Sequence, residues 1–336
     1  MYFDVAMPLT LFIVMMTGVI LNKKTESKLR AAFEEREFKV KDAIMLVVAI
    51  TVAVSVITFV PQAAVMTIFL LAYSLLLFTF TYIFSGVKKI QAELFYVVSM
   101  VFSFAAATFS LSLSVLCDVL FAYGAVVLYC LCGFSFIALI YEVDRQHTKE
   151  RWYLAAIPPV LFLTLYIFFN RTPIWFPYML NMYGLIFAVL IILYLGILFT
   201  WKTSIFFAGL LTFADTVLVL VTRTMISAAT HVAGLRLPVM VILPTFPQVV
   251  TEKGVLYMSL GLGDFFFAGL LAVQTCKKFG RNAAFLSAAA MAFSFSIFEA
   301  FILNFGIRAF PGTLMIICGW LPVTLLKFLK DGKTLK

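Results

Sequence analysis

Residues 178–200 read YMLNMYGLIFAVLIILYLGILFT, a run without one charged side chain. An α-helix rises about 1.5 Å per residue, so about 20 apolar residues cross the hydrocarbon core of a bilayer. This stretch is long enough to span one. Further stretches of the same kind run roughly over 3–21, 42–60, 63–86, 94–115, 119–141, 152–170, 203–222, 254–275, 283–303 and 309–328, making eleven expected spans. The composition agrees: 64% of the 336 residues are hydrophobic and 12% are charged, with a mean hydropathy of +1.09. Soluble domains are about 45–50% apolar and about 25% charged. A soluble globular enzyme, a disordered chain and a disulfide scaffold are therefore excluded. An outer-membrane barrel is excluded because long stretches are apolar on both faces and do not alternate. The expected fold class is an all-α polytopic membrane protein of about 9–11 transmembrane helices.

The charge between spans sets an expected orientation. One set of alternate joins holds Lys23, Lys24, Lys28, Arg30, Arg36, Lys39 and Lys41, then Lys88 and Lys89, then Arg145, Lys149 and Arg151, then Lys202, then Lys277, Lys278 and Arg281, and finally the basic tail. Of 25 basic residues, only Arg171, Arg223, Arg236, Lys253 and Arg308 fall in the other set. Basic residues collect on the cytoplasmic side, so the +9 net charge reads as topology and not as a nucleic-acid surface. The N-terminus is expected outside and the C-terminus in the cytoplasm, in the cell membrane. Trp152, Trp175 and Trp201 sit at span ends, where interface anchors belong. Trp320 lies mid-span and is expected to pack. Segment 22–41 reads as a solvated cytoplasmic connector. No CxxC pair or HExxH is present, and both histidines, His147 and His231, lie in loops. Zinc chemistry and a serine–histidine site therefore have no residues to use, and no metal or organic cofactor is expected.

An ionisable residue inside a span is costly and points to function. Asp4, Asp118 and Glu299 are near span ends, where a carboxylate can reach water, and Glu93, Glu142 and Asp144 fall in cytoplasmic joins. Asp215, in LLTFADTVLVLV, and Asp264, in YMSLGLGDFFFAGLL, are deeper. Asp215 is roughly 18 Å from one end of its span and Asp264 roughly 15 Å from the opposite end of the next. The two helices are consecutive and antiparallel, so both acids reach one level. Neighbouring helices pack about 8–10 Å apart, which lets facing carboxylates approach. A buried pair does not readily ionise twice and shares a proton, the state of an aspartic-protease dyad. One carboxylate then activates water and the other polarises the scissile carbonyl. A proton or cation relay in a transporter uses the same residue type, and position alone does not separate the two.

Three features converge on one family. The first is Gly261-Leu262-Gly263-Asp264, a GxGD motif. The second is Asp215, Val219, Thr222, Arg223 and Met225, followed by Leu235-Arg236-Leu237-Pro238-Val239. The third is Pro311 at the head of the last span. Together they resemble the presenilin and signal peptide peptidase family of intramembrane aspartyl proteases, in particular its prokaryotic branch, over about 205–328. The chain departs from the family pattern at Ala214, where tyrosine is usual, and at Pro311-Gly312-Thr313-Leu314, where Pro-Ala-Leu is usual. The resemblance implies an endopeptidase that hydrolyses peptide bonds within transmembrane helices or signal peptides, with Asp215 and Asp264 as the dyad. It implies a presenilin-like nine-helix core over 63–328, two additional N-terminal spans within 1–62, and a cytoplasmic basic tail, 329–336. Gly261 and Gly263 would leave room for a peptide backbone beside the acid. In the 223–253 connection, residues 237–244, LPVMVILP, read as a strand. That strand, with Pro238 and Val239, could receive an unwound substrate by β-augmentation. Pro311 and Gly312 would loosen the first turn of the last span and, with Leu314, contact substrate. The partners implied are the lipid bilayer and transmembrane or signal-peptide substrates, without nucleic acid. One rival is a prepilin or preflagellin peptidase, which also uses GxGD but usually carries a lysine soon after it, where Phe265-Phe266-Phe267 stand here. The other is a non-proteolytic proton-coupled transporter. A reporter fused within 223–253 is expected to be active only outside the cytoplasm, as in signal peptide peptidase. Activity on the cytoplasmic side would favour the prepilin-type topology.

Overall fold

The computed structural model describes residues 2–32, 37–116, 118–144, 151–251, 254–307 and 309–333. Arg36, Arg145, His147, Lys149, Lys253 and Arg308, all used above, lie outside the described residues, as do the last three residues of the basic tail. The described helices are α1 (Ala6–Ala32), α2 (Val40–Ile57), α3 (Gln62–Ile83), α4 (Lys89–Leu116), α5 (Leu120–Asp144), α6 (Trp152–Phe169), α7 (Leu180–Gly196), α8 (Trp201–Thr216), α9 (Thr224–Ala233), α10 (Leu262–Phe279), α11 (Arg281–Phe305) and α12 (Gly312–Lys333). Among the described residues, ten segments are long and apolar enough to cross a membrane: α1 to α6, Ile174–Gly196, Trp201–Val221, α11, and Gly312–Lys330 within α12. The chain is an all-α polytopic membrane protein.

α10 stands where the span 254–275 was expected, with a correction. The expected span began at 254, yet residues before Leu262 are extended. The short strands are β1 (Met240–Pro244), β2 (Val250–Thr251), β3 (Gly254–Val255) and β4 (Tyr257–Gly261). β1 pairs antiparallel with β4, Met240 opposite Gly261 and Pro244 opposite Tyr257, and β2 pairs with β3. The reason is a period-two pattern hidden in an apolar run. Along β4, Tyr257 and Ser259 are exposed while Met258 and Leu260 turn inward, the alternation of a half-buried strand. The strand expected over 237–244 is present as β1, beginning three residues later. The 22–41 connector also differs: its first part continues α1 to Ala32.

Two compact units form. One contains residues 1–65 and 180–336, the other 66–179. In the first, α1 packs on α7, α10 and α11, α2 packs on α8 and α9, and α12 packs on α8, α10 and α11. Residues 1–62 thus contribute α1 and α2 to the same unit as α7 to α12. Small residues permit the closest approaches. A Cβ at Gly269 would collide with Ile192 of α7, and one at Gly319 with the Ala290 carbonyl of α11. Membrane helices have no hydrophobic drive toward one another and associate through such close van der Waals contact. Trp320 is buried as expected and donates to the Thr275 hydroxyl at 2.9 Å.

In the second unit, α4, α5 and α6 pack together around Ala92, Tyr96, Leu131, Ala138, Tyr153, Leu154 and Ile157. Trp175, expected as an interface anchor, is instead fully buried, edge-on to Tyr166 at 5.4 Å between ring centroids. Glu142 and Arg151, expected in a solvated join, are each 1% exposed and paired at 2.7 Å. The Arg151 guanidinium also donates to the carbonyls of Ser85 at 2.7 Å and Val87 at 2.9 Å. Tyr153 donates its hydroxyl to Glu142 at 2.8 Å. The knot thus ties the end of α5 to the start of α6 and to the turn after α3. Removing one member leaves a buried charge uncompensated, at a cost of about 3–5 kcal/mol. Glu142→Ala or Arg151→Ala is expected to lower the thermal unfolding midpoint in detergent markedly, with the double replacement Glu142→Leu/Arg151→Met closer to the parent. An unchanged midpoint in both single variants would count against the knot.

Candidate functional site

Asp264 owes its position to a change of backbone. Gly261 is the last residue of β4 and the N-cap of α10, with φ −69° and ψ 149°. Asp264 is the third residue of that helix, and its carboxylate lies beside the Gly261 backbone. A helix start leaves its first N–H groups unpaired, and an acid at this position satisfies one while favouring the positive end of the helix dipole. The GxGD stretch is thus a strand-to-helix junction. Asp264 lies in the first turn of α10, not ten residues into a helix as the spacing suggested.

Asp215 lies near the end of α8, where the helix widens into a π-helical turn over Val217–Val221. Such turns are rare and cluster at functional sites. The helix then breaks at Arg223, which adopts a left-handed φ of 57° and starts α9. Asp215 is 9% exposed. Its partner is Thr313 in the first turn of α12: the Thr313 hydroxyl donates to Asp215 Oδ2 at 2.6 Å and its backbone N–H approaches the same oxygen at 3.4 Å. An orphan N–H at a helix start again meets a carboxylate.

The first turn of α12 joins the two acids. Gly312 lies directly against Asp264, and a Cβ placed there would sit 2.6 Å from Asp264 Oδ1. Asp215 and Asp264 are close enough for the charge on one to act on the other. Both line one cavity of about 640 Å³, together with Gly312 and Met315 of α12. One face of α9, from Met225 to Ala233, forms another wall, and β4 from Tyr257 to Leu260 a third. All of these residues belong to the first unit.

The remaining sequence-derived residues are placed differently. Gly263 is exposed, and a Cβ there would meet nothing within 4 Å. A Cβ at Gly261 would make only an ordinary contact, 3.5 Å from Asp264 Oδ2. Close approach to the acid therefore needs glycine at 312 and not at 261 or 263. Pro238 is buried, and the Val239 carbonyl accepts the Leu262 N–H at 3.0 Å. Pro311 is buried and its carbonyl accepts the Met315 N–H at 3.3 Å. Pro238, Val239, Pro311 and Leu314 do not line the cavity. The outer edge of β1 is taken as well: Ile242 N–H donates to Asn181 Oδ1 at 2.8 Å, and Asn181 Nδ2 donates back to the Ile242 carbonyl at 2.6 Å. Ile242 and Ser259 are opposite each other, and Ile242 turns its backbone groups away from β4. The pair is therefore of the wide, non-bonded kind, and Ser259 turns its N–H and C=O away from β1. Beside the acids, the edge of β4 at Ser259 is covered by no described strand.

Thr313 and Asn181 were missed in the sequence. Both are ordinary polar residues at the ends of apolar runs, and nothing in their spacing indicates a partner far away in the chain. No protein-family model matches the chain, and no curated protein is significantly similar to it in sequence.

Removal of the Thr313 hydroxyl leaves a buried acceptor short of its donor, at a cost of about 1–3 kcal/mol. Thr313→Val is expected to lower the unfolding midpoint in detergent by a corresponding amount, and Thr313→Ser to restore it. Equal midpoints for valine and serine would show that the contact contributes nothing.

Proposed function

We propose that the chain is an intramembrane aspartyl endopeptidase that hydrolyses peptide bonds in transmembrane or signal-peptide segments, with Asp215 and Asp264 as its dyad. The observation that carries the reading is the meeting of two carboxylates from different helices on one cavity in an apolar chain. The GxGD resemblance adds to it. Structural demand alone accounts for an acid at the start of α10. It does not account for a second acid, on α8, facing the same space.

The chemistry follows from the pair. One carboxylate takes a proton from water as it attacks the scissile carbonyl, and the other, protonated, donates to the carbonyl oxygen. The proton then passes to the leaving amine. Gly312 keeps the first turn of α12 against Asp264, and Thr313 fixes the Asp215 carboxylate. A transmembrane helix hides its peptide bonds, so the substrate must be extended before it is cut. Ser259, on the edge of β4 that borders the cavity, offers its backbone N–H and C=O to that extended segment.

Asp215→Asn and Asp264→Asn are each expected to abolish cleavage of a reconstituted single-span substrate while the protein keeps its helical circular-dichroism signal and elution volume. Gly312→Ala is expected to lower the rate at least tenfold, because its methyl group displaces the Asp264 carboxylate. Product formation by either purified asparagine variant would overturn the assignment.

A further inference from the structure

The cavity that holds Asp215 and Asp264 has a third acidic residue in its lining, Glu299. It comes from α11, where Phe295, Glu299, Ile302 and Leu303 recur at helical spacing and form one stripe along the cavity. From its place in the sequence Glu299 was expected to reach water near a span end. It is instead 1% exposed, and neither of its oxygens has a hydrogen-bond partner among the described residues. Buried polar groups are nearly always hydrogen-bonded, and one that is not calls for a specific account. The neighbouring charge gives no relief. Asp4 acts on Glu299 as a like charge, and its own oxygens already accept the N–H groups of Ala6, Met7 and Phe246. Among the described residues lining the cavity there is no lysine, arginine or histidine, against three acidic residues.

We propose that Glu299 receives a lysine or arginine side chain of the apolar peptide segment bound in this cavity. The proposal rests on the protease reading above and narrows its substrate class to spans that carry a basic residue within reach of the cavity. A cation is the ligand that the wall lacks and the carboxyl group needs. Both oxygens are covered in the present packing, so the Glu299 side chain must turn toward the cavity to bind; there an ammonium or guanidinium group supplies donors to both, and charge-assisted hydrogen bonds are the stronger kind. The same pairing would lower the cost of drawing a basic residue into an apolar surround.

The test uses the full chain in detergent and a labelled single-span leucine–alanine peptide with one lysine, alongside the same peptide with glutamine in its place. Binding is read by fluorescence anisotropy before product accumulates, and product is read separately on gels. The parent protein is expected to bind the lysine peptide about tenfold more tightly than the glutamine peptide. The ratio is expected to fall to about one in Glu299→Gln and to persist in Glu299→Asp. A ratio of one in the parent protein, which needs no variant to fold, overturns the proposal. So does a ratio that survives in Glu299→Gln, or equal weakening of both peptides there, which would mark a structural or neutral hydrogen-bonding role. Preference for lysine without any product would leave this site standing and remove the protease assignment. Product without preference would do the reverse.

Discussion

Backbone N–H and C=O groups have no water to pair with in hydrocarbon, and every departure from helix must be answered by another group of the protein. The first unit answers several of its breaks in this way. The open edge of β1 is closed by the Asn181 amide at Ile242. The connection after β1 is held by Asp4, which accepts the Phe246 N–H. The frayed end of α7 gives its Gly196 carbonyl, and the following Phe199 carbonyl, to the Gln274 amide of α10. The edge of β4 at Ser259 is covered by no described strand, and β4 borders the cavity. Irregular backbone is tolerated where it lines a cavity.

The acids obey the same constraint. Asp264 stands in the first turn of its own helix, and Asp215 receives a hydroxyl and an N–H from the start of another. Each carboxylate is thereby a structural element as well as a candidate catalyst. The two roles are compatible because a carboxylate has more lone pairs than these contacts use. Glu299, in the same cavity, has no such contact among the described residues, and that difference sets it apart from the other two.

Glycine works in this chain chiefly by allowing approach. Gly312 lets α12 lie against an acid, and Gly269 and Gly319 let α10 and α12 close on their neighbours. The second unit uses a different device. There a buried Arg151–Glu142 pair with backbone carbonyls around it ties three helices together. Charge is rare in the chain, and here it is used to make a joint.

The sequence by itself determined that the chain is helical and membrane-spanning, and roughly where each span runs, because about 20 apolar residues in a row have few other stable states. It also singled out Asp215 and Asp264, since an acid inside such a run stands out without knowledge of its neighbours. The strand 237–244 was legible from its prolines and β-branched residues, but β4 was not, because an alternating pattern vanishes inside a run where nearly every residue is apolar. Thr313, Asn181, Gly312 against Asp264, and the burial of Glu299, Glu142 and Arg151 were decided only by the tertiary structure. Each depends on a partner tens to hundreds of positions away, or on a neighbouring helix that shuts out water. A local pattern carries neither kind of information.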